Sequence, residues 1–232
     1  VSELKEKIAA CGRILFVEHH DDMHLGHVSA REPGAQTIWI KPRGPGLEET
    51  TAENLIEIDL EGKIVSGQGK APGEWLLHTE IYRARADVNC VIHTHPLWTV
   101  VFGIVGLPFQ YANQDAVVFR HGLPVFTGTA ELITQREQGA RLAADLGEAN
   151  AVLMRNHGVT LAASSVEQCL VWALNLEKAL QAQLLAAGHG GVHHVIEPSI
   201  AEKIAGPRLA MQKRSEEIFA YYVRKADRIL RS

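Results

Sequence analysis

The chain has 232 residues, 46% of them hydrophobic, and a formal charge of −4, which suits one α/β domain with a sizeable core. Both signs of charge are interspersed, so there is no basic stripe to hold nucleic acid, and no apolar run is long enough to suggest a membrane span or a signal peptide. Cys11, Cys90 and Cys169 lie far apart with no C-x-x-C pair, which fits buried thiols in a reducing cytoplasm.

Leu4 to Glu18 has helical spacing. Gly26 then allows a turn, and alternation from His27 places His27, Ser29 and Arg31 on one face of a strand. Those three side chains suit an anion, although an exposed strand face gives the same pattern. Thr37 to Ile40 reads as a second strand, ending in the rigid cationic turn Lys41-Pro42-Arg43-Gly44. Leu55 to Leu60 and Lys63 to Val65 form a hairpin about Glu61-Gly62. A Gly- and Pro-rich loop, 66–73, leads into a helix from Glu74 to about Arg85.

The stretch Val91-Ile92-His93-Thr94-His95-Pro96 is the most informative in the chain. A short apolar strand delivers two histidines two positions apart, so both imidazoles can face one point. A single H-x-H pair is also common as paired surface or half-buried histidines. A third histidine follows in matching context, where Ala151 to Met154 ends in Arg155-Asn156-His157-Gly158. Three imidazoles with an open fourth position make a catalytic rather than a structural metal site, and Glu74 just upstream can bring a carboxylate to it.

Between these motifs, Leu97 to Val105 is a helix closed by Gly106, Val117 to Phe119 and Pro124 to Phe126 read as short strands, and Glu131 to Leu146 is an amphipathic helix. Val166 to Ala187 is a long helix with Ser165 as its N-cap. His189, His193 and His194 sit in a Gly-rich loop and are read as solvated. The final helical tail, from about Ser199 to Arg231, is expected to break at Gly206-Pro207 and carries Tyr221-Tyr222, which pack at home or fill a neighbouring subunit's groove.

Together, Gly26-x-x-Ser29-x-Arg31, the turn at Gly44, Glu74-Trp75 with Tyr82-Arg83-Ala84-Arg85, His93-Thr94-His95-Pro96 and Asn156-His157-Gly158 resemble the class II aldolase/adducin family. The likeness runs from about residue 4 to about 187, with the rest of the chain a helical appendage to one domain. It implies a three-layer α/β/α fold around a mainly antiparallel sheet and a divalent metal ion on His93, His95 and His157. It also implies Glu74 as the acid/base and a homotetramer with sites near subunit contacts.

The chain departs from the family's sugar-phosphate members where they hold phosphate. His27 stands in place of Asn, Arg43-Gly44 in place of Thr-Gly, and Pro72-Gly73 in place of Ser-Ser. Pro72 lacks an N–H and neither of that last pair has a hydroxyl, whereas the larger, potentially cationic groups suit a flat carboxylate. The aldolases' tyrosine donor is also missing, its region reading Val125-Phe126-Thr127. This pattern is similar to the decarboxylase branch, which acts on hydroxylated aromatic or heteroaromatic dicarboxylates such as 3,4-dihydroxyphthalate.

The expected chemistry is therefore decarboxylation beside a ring hydroxyl in aromatic catabolism, with His27, Ser29, Arg31 and Arg43 as candidate substrate-binding residues. Glu74 would shuttle the proton if its pKa rises toward neutrality, with His78 or a C-terminal Tyr221 or Tyr222 as other donors. Zinc, manganese and iron(II) all suit such a site. Two rivals remain: an aldolase or epimerase acting on a sugar or acid, and a non-catalytic adducin-like interaction module, which typically lacks the three histidines.

Overall fold

The computed structural model describes residues 2–210 and 212–231. Its centre is an eight-stranded mixed sheet in the order β4-β3-β2-β1-β5-β8-β7-β6. The strands are β1 (His27–Ala30), β2 (Thr37–Ile40), β3 (Ile56–Asp59), β4 (Ile64–Ser66), β5 (Cys90–Thr94), β6 (Val125–Phe126), β7 (Ala151–Met154) and β8 (Gly158–Ala163). Every pairing is antiparallel except β6 with β7.

Both faces of the sheet are covered, so the central strands are buried along their whole length. On one face lie α1 (Glu3–Val17), α3 (Leu97–Val105), α5 (Val166–Gly188) and α7 (Gln212–Leu230), packed on Val28, Ile92 and Leu161. On the other lie α2 (Trp75–Ala84) and α4 (Arg136–Leu146), packed on Ile38, Val91 and Ala162. Because side chains alternate along a strand, His93 faces the α2 side while Ile92 faces α1 and α5. His27 is directly opposite His93 in the β1–β5 ladder and shares that side. The strand pattern thus carries two histidines to the start of α2, where Glu74 is the N-cap residue.

Three expectations need correction, and one strand was not anticipated. Residues 117–119 form no strand: Asn113 Oδ1 accepts the N–H groups of Asp115 and Ala116, and that turn runs into a short 3-10 helix at Ala116–Val118. The helix expected from Glu131 begins at Arg136, since Gln135 and Gln138 form a reciprocal capping box at its start. The preceding segment is a loop whose Ile133 is fully buried. Strand β8, which follows His157 directly, had no separate signal. The tail does not break at Gly206-Pro207, because α6 (Pro198–Ala210) runs through that pair at the cost of one backbone hydrogen bond.

Candidate metal centre

Four ligand atoms, one each from Glu74, His93, His95 and His157, lie within 4.8 Å of one another. The Nε2 atoms of His93 and His95 are 2.9 Å apart, and Glu74 Oε2 is 3.5 Å from His93 Nε2 and 3.6 Å from His157 Nε2. Ligands each about 2.1 Å from one tetrahedral centre stand roughly 3.4 Å from each other, and the three separations above are close to that, so these groups can share one ion.

The hydrogen bonds outside the cluster decide what its nitrogens carry. His93 Nδ1 is 3.0 Å from the carbonyl oxygen of Val159, which can only accept, so Nδ1 holds the proton and Nε2 a lone pair. His95 Nδ1 is 3.0 Å from Asp22 Oδ2, with the same consequence. Two lone pairs therefore face each other with a carboxylate beside them, an arrangement that repels itself unless a cation sits among them. The donor set fits a divalent ion.

The backbone around the cluster is specialised. Asn156 adopts φ 60°, in the left-handed region, so that the tight β7–β8 turn swings His157 back over β5. Gly158 has no room for a side chain: a Cβ there would lie 2.5 Å from His95 Cδ2 and 2.5 Å from Thr94 O. Beyond His95, α3 begins at once, and its first free N–H groups, Trp98 and Thr99, donate to the Glu177 carboxylate at 2.7 and 3.0 Å. Burial nevertheless holds the Glu177 carboxyl above its usual pKa, those bonds pulling the other way.

Glu74 is buried, and Oε1 accepts the Ile133 N–H at 2.8 Å. Burial pushes its pKa up; protons on His93 and His157, together with the Ile133 N–H, would hold it at about 2, and a divalent ion among bare imidazole nitrogens would act in the same direction. The rise toward neutrality that a proton donor would require is absent, and Glu74 stays ionised. His95 and His157 are pulled below the ordinary imidazole range, chiefly by burial.

The residues expected to grip substrate separate into three groups. His27 is at the cluster, its ring stacked on His93 with centroids 5.1 Å apart. Ser29 lies one step deeper, its hydroxyl shared between His78 and Tyr82. Arg31 is not brought to the cluster. Its guanidinium is spent on the carbonyls of Val88, Arg85 and Ala35 and lies over the Tyr82 ring, because it sits past the far end of β1, beside the C-terminal end of α2 rather than its start. Arg43 is exposed on the turn after β2, which buried Lys41 ties down through the carbonyls of His24, Pro42 and Pro45. His78 is fully buried and bonded on both ring nitrogens. The Tyr222 hydroxyl accepts from Lys178, on the opposite helical layer, and Tyr221 is half exposed. Among the described residues His189, His193 and His194 join no ligand group.

Sequence reading missed Asp22 and Tyr82. Asp22 precedes His95 by most of the N-terminal half and carried no spacing signal, whereas Tyr82 was detectable, since Glu74, His78 and Tyr82 recur every four residues on one stripe of α2.

A cavity of about 670 Å³ opens beside the cluster, its polar wall formed by Asp22, His95 and His157 and its apolar wall by Leu25, Leu97 and Leu132. Residues 6–184 match the class II aldolase and adducin N-terminal domain. The chain belongs to that family. It is 32% identical over 213 residues to a 3,4-dihydroxyphthalate decarboxylase of Arthrobacter keyseri, covering 85% of each chain. It is 28% identical over 187 residues to the decarboxylase NovR of Streptomyces niveus, covering 79% of this chain and 68% of that one. Among solved structures, an aldolase II superfamily protein from Pseudomonas syringae superposes with a TM-score of 0.85 at 26% identity, covering 98% of this chain and 95% of that one. The family and these relatives support a lyase-type enzyme. No helix among the described residues is long and apolar enough to cross a membrane.

Proposed function

We propose that the protein is a divalent-metal-dependent decarboxylase of a hydroxylated aromatic or heteroaromatic carboxylate, of the dihydroxyphthalate kind, serving aromatic catabolism in the cytoplasm. The observation that carries this reading is the convergence of two imidazole lone pairs and a carboxylate on one point beside a half-apolar cavity. The resemblance to a dihydroxyphthalate decarboxylase over 85% of the chain supplies the direction of the chemistry.

Loss of carbon dioxide leaves an electron pair on the ring carbon, and a divalent ion on His93, His95 and His157 would supply the positive charge that draws it toward the adjacent ring oxygen. The protein's own groups do the remainder. The apolar wall accepts the ring face and sheds water from it. The exposed Arg43 can pair with a second carboxylate through two parallel N–H groups, and His27 borders the reacting face. Glu74, ionised, is suited to taking the proton of the ring hydroxyl. Zinc, manganese and iron(II) remain the candidate ions.

A homotetramer with sites near subunit contacts accords with the exposure of Leu97 (65%) and Leu132 (55%) on the cavity wall. The test is a panel of hydroxylated aromatic mono- and dicarboxylates, with and without chelator, followed for carbon dioxide and for aldehyde. Metal-dependent carbon dioxide release supports the reading. Aldehyde without carbon dioxide would mean an aldolase, and an absence of stoichiometric divalent ion a non-catalytic module.

A further inference from the structure

Behind His27 lies a run of buried polar side chains that the scheme above does not use. His27 Nδ1 is 2.7 Å from His78 Nε2, and His78 Nδ1 is 2.7 Å from Ser29 Oγ. Ser29 Oγ is 2.9 Å from the Tyr82 hydroxyl, which also lies 3.0 Å from the Ser29 carbonyl. His78 and Ser29 are fully buried, and Tyr82 and His27 are 2% and 7% exposed. Tyr82 borders a second cavity, of about 410 Å³, lined also by Arg31, Gln36 and Arg83. The Arg31 guanidinium lies 4.7 Å from the centre of the Tyr82 ring. The run thus begins at the ring stacked on His93 and ends at a separate cavity on the same side of the sheet, at the far end of α2.

We propose that Tyr82, Ser29, His78 and His27 form a proton relay that supplies the ring carbon with the proton it needs when carbon dioxide departs; this rests on the decarboxylase reading above. Each member both gives and accepts, so the chain can be ordered in two senses. In the loaded sense Tyr82 donates to Ser29 Oγ, Ser29 to His78 Nδ1 and His78 Nε2–H to His27 Nδ1, which leaves a proton on His27 Nε2. In the spent sense Tyr82 donates to the Ser29 carbonyl and all the other bonds reverse, leaving His27 Nε2 bare. The two acceptors that Ser29 offers Tyr82, at nearly equal distance, are what let the far end of the chain take either sense. A set of groups buried only for structure needs one sense and gains nothing from a second.

The protons balance. The carboxylate leaves as carbon dioxide, its bonding pair stays on the ring carbon, and His27 Nε2 gives its proton to that carbon. His27 Nδ1 takes one from His78, His78 Nδ1 takes one from Ser29, Ser29 takes one from Tyr82, and a water in the rear cavity restores Tyr82. One proton enters for each carboxylate lost, while the substrate still closes the front of the site. When product leaves, a water entering the front gives His27 Nε2 a proton and Tyr82 releases one to the rear, which resets the chain with no net change.

The test uses Tyr82→Phe, which keeps the ring beneath Arg31, and Ser29→Ala as an independent break. Both variants are expected to bind metal as the wild type does and to hold KM within about twofold. Their kcat should fall by roughly tenfold or more. In mixtures of light and heavy water the wild-type rate should curve with deuterium fraction, as several protons moving together require, and the Tyr82→Phe rate should be linear. Nitrogen-15 histidine spectra of the zinc-loaded protein without substrate give a second readout. The His27 and His78 signals should average over both tautomers in the wild type and shift toward Nε2–H in Tyr82→Phe, where Ser29 loses its alternative acceptor. A wild-type rate linear in deuterium, or tautomers that ignore Tyr82→Phe, would overturn the relay while leaving the decarboxylase reading intact. Should no carboxylate release carbon dioxide, that reading falls, and the nitrogen spectra still decide whether the chain exchanges.

Discussion

Asp22 shows how much a single carboxylate outside the ligand cluster can decide. Its Oδ2 takes the Nδ1 proton of His95, fixing both the tautomer and the tilt of a proposed ligand ring. Asp22→Asn keeps the shape but can present an amide N–H instead of an acceptor, so His95 loses the partner that keeps Nε2 bare. Metal affinity is expected to fall by about 10- to 100-fold, read by competition against a chromogenic chelator. His93→Ala is expected to abolish both binding and turnover. Arg43→Ala, on the exposed turn, should raise KM and leave kcat little changed; an unchanged KM with collapsed kcat would assign Arg43 to the chemistry instead.

At the level of elements, the cluster depends on how tightly β5, the β7–β8 turn and α3 are held together. Gly158→Ala puts a methyl group where His95 and the Thr94 carbonyl already are. The imidazole must move, and the expected result is lost metal binding with the far-ultraviolet circular dichroism of the sheet preserved. Glu177 caps α3 from a helix distant in sequence, so Glu177→Ala leaves the Trp98 and Thr99 N–H groups without their acceptor. The cost should be about 1–3 kcal/mol in urea unfolding. These elements also mark what could be read in advance. The H-x-H strand, the Glu74 helix and the His157 turn each had a local pattern of two or four residues, and all were legible. Asp22 and Glu177 were not, because each acts on a partner that only the tertiary fold supplies. Arg31 keeps the face that alternation gives it, over Tyr82, but four residues of strand carry it about 13 Å along from His27, to the other end of α2, and strand periodicity does not say where along that face a ligand sits.

For the molecule as a whole, acid should be more damaging than base. His20 and His78 are buried, and burial chiefly holds both pKa values near 3, far below the value of about 6.5 expected in the unfolded chain. Between those values the unfolded chain binds more protons, so the unfolding free energy falls as pH drops from about 6.5 toward 3. The slope is up to about 1.4 kcal/mol per pH unit for each ring, and above that window these groups add no pH dependence. Urea midpoints of metal-free protein at pH 7.5 and 5 measure this, and His20→Gln should shallow the acid slope by close to one proton. The proposed ligands themselves come from the end of β5 and from the β7–β8 turn, so an unfolded chain offers an ion little beyond the His93 and His95 pair. An ion that recognises only the finished scaffold retards unravelling without hastening assembly. Shelf life in the warm would then follow the supply of metal, while the speed of recovery from denaturant would be indifferent to it.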